Sequence, residues 1–124
     1  MLTARDIMST TLHTVTVQTT LYDLANLLSS KRISGTPVLS DDGAVIGIVT
    51  EADLISKTGA TVGDIMTRSV SSVTEDTPMR EIAHLLSEKD IKRVPVMRGE
   101  KLVGLVSRGD IVRAMLRDDQ QEAL

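Results

Sequence analysis

Apolar residues recur at helical spacing in two stretches of the chain, Leu21, Leu24, Ala25 and Leu28 in one and Met79, Ile82, Ala83 and Leu86 in the other. Each predicts a helix with a single apolar face. Thr19 and Thr77 stand where N-caps are expected, and Pro78 falls at the favoured first helical position of the second helix. A short extended segment precedes each helix, around Val15 and around Val73. Strands are predicted at residues 36–39 and 45–49, joined by a turn at Asp41-Asp42-Gly43. A further helix begins at Thr50 in the first stretch and at Ser107 in the second. Each half therefore reads β-α-β-β-α.

The two halves are copies. Asp6-Ile7-Met8 recurs as Asp64-Ile65-Met66, and the same spacing pairs Val15-Thr16 with Val73-Thr74, Leu27-Leu28-Ser29 with Leu85-Leu86-Ser87, and Pro37-Val38 with Pro95-Val96. Beyond the turn, where "SDDGA" faces "RGEK", the spacing shortens by one residue and pairs Gly47 with Gly104, Val49 with Val106 and Asp53 with Asp110. An internal repeat of this kind governs the architecture. Its modules occupy residues 1–59 and 60–117, followed by a charged tail at 118–124 that reads as a loosely ordered helix end. A strand pair covered by helices on one side buries one face only. The expected fold is therefore α+β, two modules stacked sheet against sheet about a pseudo-twofold axis as one compact unit, with related clefts between them.

Composition narrows the chemistry. With 124 residues, one compact domain fits better than two independent ones, because halves of about 60 residues would be marginal alone. Tyr22 is the only aromatic residue and the formal net charge is -3, so neither base stacking nor overall electrostatics favours nucleic acid. The absence of cysteine removes disulfides, thiolate metal sites and thiol nucleophiles. No apolar run approaches the roughly 18 residues of a membrane span, and "MLTARDIM" does not resemble a signal peptide, so a cytoplasmic location without membrane contact is expected.

One motif occurs in both copies, as "GIVTEADL" at residues 47–54 and "GLVSRGDI" at 104–111. A Ser or Thr followed three residues later by an acidic residue is a helix-capping pattern, and by itself a cap is its plainest meaning. Here the motif follows Gly-aliphatic-Val in both copies, downstream of "ISGTPV" and "IKRVPV". The doubled pattern resembles the CBS domain, the module named after cystathionine beta-synthase, in the tandem arrangement called a Bateman module. The resemblance covers about residues 5 to 117.

It implies stacked β-α-β-β-α modules that act as regulators, not catalysts. It also implies clefts that bind adenosine-containing ligands such as AMP, ADP, ATP or S-adenosylmethionine, with no cofactor required. Carried over by position, Asp53 and Asp110 accept hydrogen bonds from ribose hydroxyls, a role suited to a carboxylate facing a cis-diol, and Thr50 and Ser107 contact ribose or phosphate. Ile33, Ser34, Thr36 and Pro37 in one copy, with Ile91, Lys92, Val94 and Pro95 in the other, supply walls for adenine. His13 and Ser71 border the base. Each cleft generally combines the Pro-containing strand of one copy with the Thr/Ser-x-x-Asp of the other. Thr50 and Asp53 would then share a cleft with Lys92 and Arg93, which supply cations for phosphate and make this the preferred nucleotide site; the other cleft has Ser107, Asp110, Ser34 and Gly35, with Arg108 as a further cation.

Cap and ligand roles are compatible, because a helix start presents N–H groups and a favourable potential to anions. Nothing in the chain assembles a catalytic constellation: His13 and His84 lie in different copies, "KTG" at residues 57–59 stands without the rest of its enzyme signature, and no phosphate-loop motif occurs. Two functions remain. One is a CBS-pair regulatory protein that binds an adenosyl ligand and signals in trans to an effector protein, the pair itself forming a homodimer through its helical faces. The other is a ligand-independent interaction or dimerisation module in which Asp53 and Asp110 serve as caps.

Overall fold

The computed structural model describes the backbone of residues 1–123 and the side chains of residues 1–117. The tail at 118–124, expected as a loosely ordered helix end, continues helix as far as Ala123, and its side chains lie outside the described residues. The elements in chain order are α1 (Ala4–Ile7), α2 (Leu21–Lys31), β1 (Gly35–Leu39), β2 (Val45–Thr50), α3 (Glu51–Ser56), α4 (Val62–Ile65), β3 (Val73–Thr74), α5 (Met79–Glu88), β4 (Arg93–Arg98), β5 (Lys101–Ser107) and α6 (Arg108–Ala123). This is a mixed α+β chain.

Two compact units form, and they divide the chain differently from the sequence repeats. One is His13–Val70; the other joins Met1–Leu12 to the chain from Ser71 onward. Each unit thus includes the one-turn helix that leads the other repeat. Backbone hydrogen bonds explain the exchange. In the His13–Val70 unit, α4 is fastened by Val62 N–H to Thr19 O (2.8 Å) and Gly63 N–H to Val17 O (2.9 Å), and Thr67 exchanges bonds with Ile48 of β2. In the other unit, Ala4 N–H reaches Thr77 O (2.9 Å), Arg5 N–H reaches Glu75 O (3.0 Å), and Ser9 pairs with Leu105 of β5.

In the His13–Val70 unit, β1 and β2 form an antiparallel pair in which Gly35 faces Thr50 and Val38 faces Gly47. The expected first strand contracts to a single parallel bridge, Val15 to Val38. The core consists of Val15, Leu24, Leu28, Val38, Val49, Val62, Ile65 and Met66. In the other unit, β3 is a true strand parallel to β4, and β4 pairs with β5 in the matching register, Arg93 facing Ser107. Ala4, Ile7, Val73, Ile82, Leu86, Val94, Val96, Val106, Ile111 and Ala114 form its core. Both hairpins carry an irregularity at the equivalent point, after Val38 and after Val96. Burying these aliphatic side chains, each worth about 1.5–3 kcal/mol, is what stabilises a fold almost without aromatics.

Three sequence expectations shift by one residue. The N-cap of α2 is Thr20, whose hydroxyl accepts from Asp23 N–H at 3.1 Å, not Thr19. Thr19 is engaged elsewhere, accepting from Thr16 N–H at 3.1 Å to close the preceding turn. Thr77 does the same for Thr74 N–H at 3.0 Å, and Pro78 becomes the N-cap of α5 instead of its first residue. The helices α2 and α5 are then left through a residue in the left-handed region, Arg32 (φ 55°) and Asp90 (φ 51°), neither of them glycine. The left-handed residue lets Ile33 N–H return to Leu28 O (3.1 Å) and Ile91 N–H to Leu86 O (3.0 Å), satisfying helix-end carbonyls and turning the chain into β1 and β4.

Candidate functional site

Each strand-to-helix junction is built the same way. β2 ends at Thr50 and α3 begins at Glu51; Thr50 Oγ1 accepts from Asp53 N–H at 3.2 Å, while Asp53 Oδ2 accepts from Thr50 N–H at 3.0 Å and from its hydroxyl at 3.2 Å. In the second copy, Ser107 Oγ accepts from Asp110 N–H at 3.2 Å, and Asp110 Oδ2 accepts from Ser107 N–H at 2.8 Å and from its hydroxyl at 3.0 Å. Both are reciprocal capping boxes, with Asp in place of the usual Glu. The cap component of the sequence reading is therefore present in both copies.

Capping alone does not distinguish these two carboxylates. Thr3 with Asp6 and Thr61 with Asp64 form the same box at the starts of α1 and α4. The sequence signal was available, since Thr-x-x-Asp occurs at both positions, but the helices it opens are only one turn long. Asp6 and Asp64 are exposed, whereas Asp53 is buried and Asp110 half-buried. Asp53 and Asp110 also hold a cation on their second oxygen: Lys57 Nζ lies 2.9 Å from Asp53 Oδ1, and Arg113 Nη2 lies 2.6 Å from Asp110 Oδ1. A carboxylate has about four lone-pair directions. Three are taken at each aspartate, and one on Oδ1 remains for a further donor.

The expected wall residues gather around these junctions within each unit. Glu51 N–H donates to Ser34 O at 2.9 Å, and Arg108 N–H donates to Lys92 O at 2.9 Å, tying each helix start to the segment that opens the Pro-containing strand. Ile33 and Ile91 are half-buried just before those segments, Lys92 is exposed, and Arg93 is half-buried. Thr36 is fully buried, and its hydroxyl donates to His13 O, a bond that fastens the leading segment to β1. Pro37, Pro95 and Val94 are fully buried as well. These four residues shape the interior beneath the junctions and present no surface of their own. Ser71 is half-buried ahead of β3. Arg108 is committed locally, its guanidinium donating to Ile91 O at 2.9 Å and to Asp90 Oδ1 at 3.1 Å.

The glycine that opens each motif has a steric reason. A Cβ at Gly47 would lie 2.8 Å from Thr67 O, and one at Gly104 would lie 2.5 Å from Met8 Sδ. The segment after each leading helix crosses the strand at this point, so a side chain at residue 47 would press on backbone and one at residue 104 on the side chain of Met8. A charge cluster not anticipated from sequence lies elsewhere in the second unit: buried Glu75 accepts a bidentate pair from Arg98 (2.7 and 2.8 Å), and Arg5 approaches at 3.7 Å. Arg98 is the principal cause of a Glu75 carboxyl held below its ordinary value. Val17 occupies the equivalent position of the first copy, so repeat comparison hid the cluster. Among the described residues, no three His, Asp or Glu side chains group as metal ligands, and no helix is long and apolar enough to cross a membrane.

Two successive junctions of this geometry in one chain coincide with what comparison with known proteins finds. The sequence profile of the CBS domain matches residues 4–58 and again residues 62–117. The chain belongs to the CBS domain family. As a tandem CBS chain it is 31% identical to YlbB of Bacillus subtilis, over 86% of this chain and 78% of that protein. It is likewise 31% identical to hypoxic response protein 1 of Mycobacterium tuberculosis, over 91% of this chain and 85% of the other. Among solved structures, that of CBSX2 in complex with AMP superposes with a TM-score of 0.89 at 33% identity, covering 96% of this chain and 99% of that one. The CBS domain pair of MJ0100, in complex with 5′-methylthioadenosine and S-adenosyl-L-methionine, superposes with a TM-score of 0.88 at 28% identity, covering 94% and 98%. The chain spans 59% of full-length chloroplastic CBSX2 of Arabidopsis thaliana, to which it is 32% identical.

Proposed function

We propose that this tandem CBS chain is a regulatory protein that binds an adenosine-containing ligand, AMP, ADP, ATP or S-adenosylmethionine, and passes the signal to another protein. The observation that carries the reading is the state of Asp53 and Asp110: each uses one oxygen to cap its helix and keeps a lone pair on the other. A ribose hydroxyl is a donor suited to that acceptor, and a bond to a charged acceptor contributes about 1.5–3 kcal/mol. Relatives solved with AMP and with S-adenosyl-L-methionine support the same ligand class. In this reading ribose is held by Asp53 or Asp110, with Thr50 or Ser107 beside it. Adenine lies against backbone near Ile33, Ser34, Thr36 and Pro37, or near Ile91, Lys92, Val94 and Pro95, with His13 or Ser71 at its border. Lys92 and Arg93 attract phosphate. No catalytic role is assigned to any of these residues.

A second reading, an interaction or dimerisation module, is favoured by apolar side chains left exposed on the helices. Ile55 on α3 is 85% exposed, and Val112, its counterpart on α6, is 61% exposed. A homodimer formed through these positions is compatible with ligand binding. Calorimetric titration of the purified chain with AMP, ADP, ATP and S-adenosylmethionine separates the readings. Saturable binding of at least one of them is expected, and a folded, ligand-free protein that binds none leaves the interaction module as the function.

A further inference from the structure

The cations on Asp53 and Asp110 come from positions that are not equivalent in the two repeats. Alignment of the copies places Lys57 opposite Ala114 and Arg113 opposite Ser56. The same oxygen, Oδ1, is nonetheless paired in both, by different residue types at different spacings along the helix. Lys57 is held in place from two further directions: Nζ also donates to Ile65 O of α4 at 3.1 Å, and its backbone N–H donates to Asp53 O at 3.0 Å. The Lys57–Asp53 pair is the more shielded, with Lys57 45% and Asp53 11% exposed, against 71% for Arg113 and 17% for Asp110.

A carboxylate that reads ribose creates a difficulty for a phosphorylated ligand, because it places a negative charge next to a molecule that carries its own at the 5′ position. An ammonium or guanidinium bound to the same carboxylate cancels that repulsion and still leaves a lone pair on Oδ1 for a hydroxyl. We propose that Lys57, and more weakly Arg113, determine specificity by holding the ribose-reading carboxylate as a neutral ion pair, so that phosphorylated adenosine compounds are not disfavoured against adenosine itself. This inference rests on the adenosine-ligand reading above and adds the residues that set phosphate tolerance.

The test measures adenosine and AMP binding separately, by calorimetry on the full chain carrying Lys57→Met, Lys57→Gln, Lys57→Arg or Arg113→Met. Lys57→Gln retains a donor for Ile65 O and guards against loss of folding, which thermal unfolding monitors. Both neutral Lys57 variants are expected to lower the ratio of AMP affinity to adenosine affinity by about three- to tenfold at low salt, an effect that shrinks as salt is added. Lys57→Arg restores the ratio, and Arg113→Met shifts it less. A ratio that does not move, or an equal loss for both ligands, overturns the inference and leaves Lys57 as a structural contact. A wild-type chain that binds neither compound refutes the ligand reading itself, and the inference falls with it.

Discussion

Replacing Asp53 with Ala and, separately, Asp64 with Ala distinguishes a helix cap from a ligand site within one molecule. Both carboxylates close a Thr-x-x-Asp box. In Asp53→Ala, Thr50 N–H loses its acceptor at 3.0 Å, while the reciprocal bond from the residue-53 N–H to Thr50 Oγ1 survives because it uses backbone. Half a capping box costs about 1 kcal/mol. The Lys57 pair adds at most about another 1 kcal/mol, since Lys57 is half-exposed and keeps Ile65 O as a partner. The expected loss is thus about 1–2 kcal/mol, a fall in Tm of roughly 3–8 °C for a chain of this size. Asp64→Ala removes the acceptor of Ala60 and Thr61 N–H groups, at 2.8 and 3.0 Å, and also lowers Tm.

Ligand binding separates the two variants. A ribose bond to a charged acceptor contributes about 1.5–3 kcal/mol, so Asp53→Ala should weaken AMP at its site by roughly ten- to a hundredfold. Asp64→Ala should bind AMP as the wild type does, and Asp53→Ala combined with Asp110→Ala should abolish binding in a protein that still unfolds cooperatively. Thermal unfolding with and without AMP reports both quantities, because a ligand at 100 times its Kd adds about 2.7 kcal/mol to stability. Equal AMP affinity in the two single variants would refute the assignment of ribose binding to Asp53.

Three further outcomes are expected. Gly47→Ala should destabilise by about 1–3 kcal/mol, because its Cβ meets the Thr67 carbonyl at 2.8 Å; Gly104→Ala meets the side chain of Met8, so adding Met8→Ala should recover part of the loss there, as denaturant melts would show. Arg93→Ala should weaken AMP several-fold and leave adenosine nearly unaffected by calorimetry, and unchanged AMP affinity would remove Arg93 from the phosphate role. Glu75, whose ordinary value is 4.5, is held below it chiefly by Arg98, and Asp6 and Asp64, with ordinary values of 3.8, are held down chiefly by the backbone N–H groups of Thr3 and Thr61. Depressed carboxylates contribute stability that is complete above their unfolded values and disappears as pH falls through the folded ones. Stability should therefore be level above about pH 5 and decline below pH 4.5, and Glu75→Gln, weaker at neutral pH, should show a shallower acid decline in equilibrium unfolding.

The sequence alone determined the doubled module, its order of elements and the two aspartates, because those features are local or periodic: apolar spacing, turn residues, and a motif repeated at a constant distance. Its caps missed by one residue because the turn before each helix engages the expected threonine, Thr19 through Thr16 N–H and Thr77 through Thr74 N–H, and leaves the cap position to Thr20 and Pro78. Tertiary structure decided what depends on segments distant in sequence. The leading helix of each repeat joins the unit formed by the rest of the other repeat, since its backbone bonds run to Thr19 and Val17 in one case and to Thr77 and Glu75 in the other. The crowding at Gly47 and Gly104 follows from that crossing. Thr36, Pro37, Val94 and Pro95 are buried beneath the junctions, a fact that depends on packing and not on residue type. The partners of Asp53 and Asp110 followed the same rule. Lys57 and Arg113 occupy non-equivalent positions, so the repeat pattern carried no sign of them, and only the three-dimensional reach of each side chain brings a cation to the same carboxylate oxygen.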